Sequence, residues 1–286
     1  MGVVPELRIE NERDPAVFGP PGLASSPPRV WRDRDGGTSA LGRSSGTDHE
    51  MEVPGVGSFF FDEEPTADVA LVPEDGADGD LIDDAYRRMV VPMVLQVRGI
   101  EVLHASGVRR SDGVTALCGT SGSGKSTLAY GLSTRAGELW ADDVVPFTVA
   151  GSHVRVLPVP FKVRLLPDAA GTFLGTEMVG SGKTTLKELH APSGEARLSR
   201  IFVLERGAAV SVERVRPATR AFPMLLEHAY TFDATSGAHI GRTATSYARL
   251  VASVPIRALS VPPGLDTLDP VLDRIESAIA EDVDDR

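Results

Sequence analysis

The stretch "GTSGSGKSTLAYGL", residues 119–132, restricts this chain more than any other. A Gly, four residues, then Gly-Lys-Ser is the spacing of a phosphate-binding loop, which sits between a strand and a helix. The run "VTALC" before it reads as the strand, and "STLAYGL" after it as the helix, ending at Gly137. Such glycines let backbone N–H groups turn toward phosphate oxygens, and the helix start adds the positive end of its dipole. The expected nucleotide contacts are Gly119, Ser121, Gly122, Ser123, Gly124, Lys125, Ser126 and Thr127. Lys125 reaches the β and γ phosphates, and Ser126 offers its hydroxyl to Mg²⁺. The fold class that follows is α/β, with a central mixed sheet flanked by helices.

A second segment, "MVGSGKTTLKEL" at 178–189, looks like a copy of the first. Counting back from Gly182, Glu177 stands where the loop needs its first glycine, and a carboxylate there would repel phosphate. The preceding "AGTFLGTEMV" is broken by glycines and gives no clear strand. We read this segment as a flexible loop, so the chain is expected to hold one nucleotide. The other reading brings Lys183 or Lys187 over the transferred phosphate or onto the substrate.

In "ELWADDVV" the strand after the loop helix ends on Asp142 and Asp143. A β-loop-α-β order implies a right-handed crossover to a parallel neighbouring strand. Parallel strands share one C-terminal edge, so this pair is expected beside the phosphates. One carboxylate can hold Mg²⁺ and the other can accept a proton from an attacking hydroxyl; phosphoryl transfer needs alignment, charge neutralisation and such a base. His104 precedes a hairpin that turns at Asp112-Gly113, and its register partner falls at 119–121, the mouth of the loop. It is either a site residue or a structural histidine bonded to a backbone carbonyl.

The remainder is less specific. Residues 1–55 are rich in Pro, Gly, Ser and Arg without a sustained apolar period, and are expected to form a disordered low-complexity arm, with Trp31 docking locally. Residues 56–286 are expected to form the domain. Strands are expected at 57–64, 67–73, 147–157, 161–166, 200–206 and 209–216. Helices are expected at 83–98, with Pro92 as a kink, and at 219–230 and 240–252. A last strand and helix, "VPIRALSVP" and "LDTLDPVLDRIESAIAED", close the chain. The acidic "EDGADGDLIDD" reads as a solvated loop entering the helix. Cys118, the single cysteine, sits in an apolar run and reads as a small core residue in a reducing cytoplasm. No run approaches the ~18 apolar residues of a membrane span. The net charge is −11 with no basic block, which argues against nucleic acid as a partner.

Taken together, "LHASGV", the hairpin, "GTSGSGKSTLA" and "ELWADDVV" resemble the catalytic domain of the HPr kinase/phosphorylase family. The specific motifs span 101–146, and the similarity looks nearest to stand-alone HPr-kinase-like proteins of bacteria, some of which phosphorylate serine on peptides. The resemblance implies an HPr-kinase-like P-loop fold and ATP with Mg²⁺ as cofactors. It implies a serine of a peptide or protein as acceptor, and an oligomer as a possible assembly. It assigns the general base to Asp143, the metal side to Asp142 and Ser126, and an active-site role to His104 beside Lys125. Thr127 stands where family enzymes acting on HPr usually carry Glu, and their basic Lys-, Arg-, Pro- and Gly-rich segment has no recognisable counterpart. A small-molecule kinase and a non-catalytic nucleotide-binding regulator are the alternative readings.

Overall fold

The computed structural model describes residues 4–10, 19–20, 22–33, 35–175, 183–190, 192–233 and 236–284. The chain divides into two units, 1–100 with 230–242, and 101–229 with 243–286.

In the first unit, β1 (Leu7–Ile9), β2 (Arg29–Arg32), β3 (Thr38–Ser45), β4 (Asp48–Val53), β5 (Gly57–Asp62) and β6 (Val69–Pro73) form a six-stranded sheet. Its order is β1-β6-β5-β4-β3-β2. The expected strands at 57–64 and 67–73 are β5 and β6. The expectation of a disordered arm over 1–55 fails for residues 7–9 and for the strands between 29 and 53, and a boundary at 55 would cut the β4–β5 hairpin, where Val53 pairs with Gly57. The physical reason is that the burial partners are distant in sequence. Trp31 meets Phe232 in a tilted ring pair with centroids 5.7 Å apart, and Phe232 also meets His49 at 5.3 Å and Phe61 at 5.2 Å. A local window sees only small and polar residues around Ala40, Met51 and Val53, all of them buried.

The acidic stretch leads into a helix as expected. The Asp78 side chain accepts hydrogen bonds from the N–H groups of Asp80 and Leu81 and caps α1 (Gly79–Ala85). A π-helical turn over Tyr86–Val90 then joins α1 to α2 (Val91–Val97). Pro92 has no N–H for the helix ladder, and the widened turn absorbs the missing bond, so the expected kink takes this form.

The second unit contains β7 (Glu101–Leu103), β8 (Ala105–Arg110), β9 (Gly113–Cys118), α3 (Lys125–Arg135), β10 (Glu138–Ala141), β11 (Val145–Ala150) and β12 (His153–Val156). Next come β13 (Phe161–Leu165), α4 (Pro167–Leu174), β14 (Thr184–His190), β15 (Ala196–Arg206), β16 (Ser211–Arg214) and α5 (Ala218–Leu226). After α6 (Gly237–Ser253), which begins in the first unit's residues, β17 (Ile256–Val261) and α7 (Leu268–Asp284) complete it. The main sheet runs β10-β8-β9-β15-β12-β11-β7, and β17 joins β15 to β16. β15 pairs in parallel with both β9 and β17.

Successive residues of β9 and β15 enter opposite cores. Leu117, Phe202 and Leu204 pack with Leu128 and Leu132 of α3 and with Val271 and Ile275 of α7. Ala116, Cys118, Ile201 and Val203 pack with Leu225 of α5 and with Tyr247 and Leu250 of α6. Strands covered on both faces read as continuous apolar runs, as "IFVL" does.

Two strand expectations are corrected. The single strand at 147–157 is the β11–β12 hairpin, turning through Gly151. β10 is not the parallel neighbour of β9. It pairs antiparallel with β8, which already occupies that edge of β9 while β15 holds the other. β10 therefore runs in the same direction as β9 one strand removed, and its C-terminal end still reaches the edge where β9 ends. Among the described residues, no helix is long and apolar enough to cross a membrane.

Candidate active site

The site assembles where β9, β10 and the β7–β8 junction end. Gly119 follows β9 directly, and a Cβ there would lie 2.6 Å from Ser123 Oγ and 3.1 Å from Leu204 Cβ. Only a glycine lets the loop fold this close to β15. Gly124 caps α3 at φ 104°, a left-handed conformation that side-chain-bearing residues rarely adopt. Between them Ser121 and Gly122 are exposed, and Thr127 is half-buried in the first turn of α3.

Lys125 is buried and folded under the loop, where its Nζ donates to Gly119 O at 2.9 Å and to Thr120 O at 3.3 Å. Burial lowers its pKa, while Asp143 and then Asp142 act in the opposite direction. The Ser123 hydroxyl is buried without a hydrogen-bond partner. Arg206, the last residue of β15, donates from Nη2 to Gly122 O at 2.8 Å and braces the loop from outside.

The acidic pair sits at the turn from β10 to β11. Asp142 Oδ1 accepts from Ser126 Oγ and from Ser106 Oγ, each at 2.7 Å. Burial, and then the neighbouring charge of Asp143, push the Asp142 carboxyl up to about 6, against the pull of the two hydroxyls. Asp143 is buried and holds φ at 66°, the single left-handed non-glycine among the described residues. Aspartate tolerates this region better than most residues, but it is still a strained conformation of the kind that clusters at functional sites.

His104 occupies the break between β7 and β8. Ala105 pairs with Cys118, so His104 stands opposite Gly119, within the register range read from the hairpin. Its backbone N–H donates to His228 O at 2.7 Å, and its Nε2 lies 4.0 Å from Asp143 Oδ1. The ring faces the acidic pair.

Three further residues at this site are not among those assigned a role from the sequence. Ser106 bonds Asp142, and Arg206 bonds the loop. His228 is buried just beyond α5, and burial together with the charge of Lys125 lowers its pKa. The bridge from Leu103 to Ala229 places it there, a pairing across more than a hundred residues that no local pattern announces.

The second glycine-lysine segment is described only in part, and there the expected flexible loop is corrected: from Thr184 it is strand β14, held by antiparallel pairing with β13. Residues 176–182 and the side chain of Lys187 lie outside the described residues. Lys183 is exposed ahead of β14, and its charge is also felt at Lys125 and Asp142.

Two of these groups could hold a divalent cation. Ser126 Oγ and Asp142 Oδ1 are hard oxygen donors already side by side, and the buried acidic pair needs a positive charge to ionise fully. Among the described residues, no group of three or more His, Cys, Asp and Glu forms a dedicated metal cage.

No family model matches the chain, and no curated protein matches it. Among solved structures, the Hpr(Ser) kinase/phosphatase from Coxiella burnetii is similar to it at a TM-score of 0.34 and 12% identity. The alignment covers 63% of this chain and 91% of that one. A likeness this low decides nothing about chemistry, which is argued from the residues alone.

Proposed function

We propose that the chain binds one ATP with Mg²⁺ at residues 119–127 and transfers the γ-phosphoryl group to a hydroxyl, foremost a serine of a peptide or protein. The observation that carries this reading is the convergence of Asp142 and Asp143 on the phosphate loop. Asp142 is bonded to Ser126, and the strained Asp143 lies beside His104. A protein that only held a nucleotide would have no use for a second buried carboxylate at the loop mouth.

The backbone N–H groups of the loop and the N-terminus of α3 hold the phosphate oxygens, and Lys125 leaves the loop carbonyls to bind the β and γ phosphates. Ser126 and Asp142 hold Mg²⁺, which when bound neutralises charge on the phosphates. Asp143 takes the proton of the acceptor hydroxyl while that oxygen forms its bond to the γ phosphorus. The bond from the γ phosphorus to the bridging oxygen breaks, and ADP leaves with that electron pair. His104 Nε2, 4.0 Å from Asp143, orients the carboxylate that receives the proton.

The experiment is transfer of labelled γ-phosphate to an array of serine peptides under single-turnover conditions. We expect label on serine hydroxyls, with Asp143→Asn slower by on the order of 10²–10⁴ while ATP still binds, the usual worth of a general base. Transfer at an unchanged rate in Asp143→Asn would place the base elsewhere. ATP binding without transfer to any peptide would favour a small-molecule acceptor or a regulator.

A further inference from the structure

His49, on β4, has its side chain wholly enclosed in the first unit. Its Nδ1 lies 2.9 Å from Ser44 Oγ on β3. Its Nε2 is buried without a hydrogen-bond partner and stands 3.7 Å from Oε1 of Glu63, which follows β5. His239, in the first turn of α6, reaches the same Glu63 oxygen from Nε2 at 3.3 Å, and its Nδ1 is also buried without a partner. Two enclosed imidazoles thus face one carboxylate, which is itself 35% exposed. The rings of Phe61 and Phe232 pack on His49 with centroids 5.5 Å and 5.3 Å away.

His49, Phe61 and Glu63 belong to the sheet or its turns, while Phe232 and His239 belong to the segment 230–242, which comes to this unit from far along the chain. At Phe232 the backbone is also held by Gln96 Oε1, which accepts its N–H at 3.3 Å, and by Arg29 Nη1, which donates to its carbonyl at 3.1 Å. Neither of those side chains changes charge near neutral pH, whereas histidine does.

We propose that His49, Glu63 and His239 form an acid-sensitive clasp, which holds the segment 230–242 on the sheet at neutral pH and releases it as the medium acidifies. A protonated His49 is a cation enclosed between two phenylalanine rings, with its nearest carboxylate beyond hydrogen-bond reach, and a buried charge without such a partner is costly. Burial accordingly lowers the His49 pKa from the ordinary 6.5; Glu63, Asp233 and Asp48 act against that shift and His239 acts with it. Withdrawal of Phe232 and His239 opens the ring to water, where it takes up a proton at its ordinary value. The closed form is therefore fully favoured above about pH 6.5 and loses ground to the open form as pH falls below it. The segment begins directly after His228 and Ala229, whose backbone is bonded to His104 and bridged to Leu103, so its release loosens the chain beside the candidate site.

The test is hydrogen exchange of the full chain, read by mass spectrometry at pH 7.5 and 5.5 and corrected for the intrinsic pH dependence of amide exchange. It uses no nucleotide, so its outcome is independent of the function proposed above. We expect opening of peptides within 230–242 to rise by about threefold to tenfold in the wild-type chain, tenfold being the ceiling for one proton taken up one pH unit below 6.5. His49→Gln, neutral at both pH values, should show a rise of less than about twofold. Glu63→Gln removes the charge that most opposes the effect of burial on His49, and its rise should exceed that of the wild-type chain. Unchanged protection of 230–242 in the wild-type chain overturns the proposal, as does an equal rise in His49→Gln or a smaller rise in Glu63→Gln. An equal rise in peptides from 101–135 also overturns it, because the whole chain would then be loosening together. Melting curves at pH 7.5 identify a variant that fails to fold, and the comparison of 230–242 with 101–135 in the wild-type chain does not depend on either variant.

Discussion

At the scale of the residue, the site is a place where stability is given up. Asp142 is buried beside Asp143, and its carboxyl is pushed up to about 6 from the ordinary 3.8. The folded state therefore binds this proton more tightly than the unfolded chain does, and ligand-free stability falls as pH rises from about 4 through about 6. Asp142→Asn keeps the shape and the acceptor for Ser126 and Ser106 but removes the charge. It should melt higher than the wild-type chain at pH 8 without nucleotide or metal, with the gain shrinking below pH 6, while transfer is lost. Thermal melts of both proteins across pH 4–8 check this, and an equal or lower melting temperature for the variant at pH 8 would count against the buried pair. Cys118 is the opposite case. It is fully buried, and burial pushes its thiol up to about 12. It should resist alkylation in the native protein at pH 8 and react once the chain is unfolded; mass spectrometry after iodoacetamide reads the difference.

At the scale of the element, what was legible depended on how local the signal was. The glycine-rich loop between β9 and α3, the hairpin before it and the place of the acidic pair at the end of β10 were legible because spacing, turn chemistry and strand patterning lie within 101–146. The hairpin register even put His104 opposite the loop mouth. The position of β10 was not legible, since pattern alone does not say that β8 already fills the edge of β9. His228 and Arg206 were missed because only tertiary pairing brings them to the site. The strands between 29 and 53 were hidden by small and polar residues, although Gly46, at φ 62° in the turn between β3 and β4, was a usable hairpin signal. Their presence gives truncation a cost. A chain starting near Val56 would lose β1 to β4 and leave β5 with an open edge, exposing Phe59 and Phe61, both now buried. We expect a fall in melting temperature of more than about 4 °C, the scale of a loss above ~2 kcal/mol in a chain of this size. An unchanged melting temperature would mean that these strands contribute nothing to stability.

At the scale of the whole molecule, the chain carries a net charge of −11, yet at the candidate site of the second unit the charges of Lys125 and Lys183 meet those of Asp142 and Asp143. The two glycine-lysine segments give the account its sharpest alternative, because Lys183 lies near enough for its charge to be felt at Lys125. The central claim is that one nucleotide binds, and that it binds at the first segment. Calorimetric titration of ATP with Mg²⁺ into the wild-type chain, Lys125→Ala and Lys183→Ala tests it most directly. The account predicts one site in the wild-type chain, binding lost or severely weakened in Lys125→Ala, and a smaller loss in Lys183→Ala with the stoichiometry still one. Two sites in the wild-type chain, or a greater loss of affinity at Lys183 than at Lys125, would contradict it.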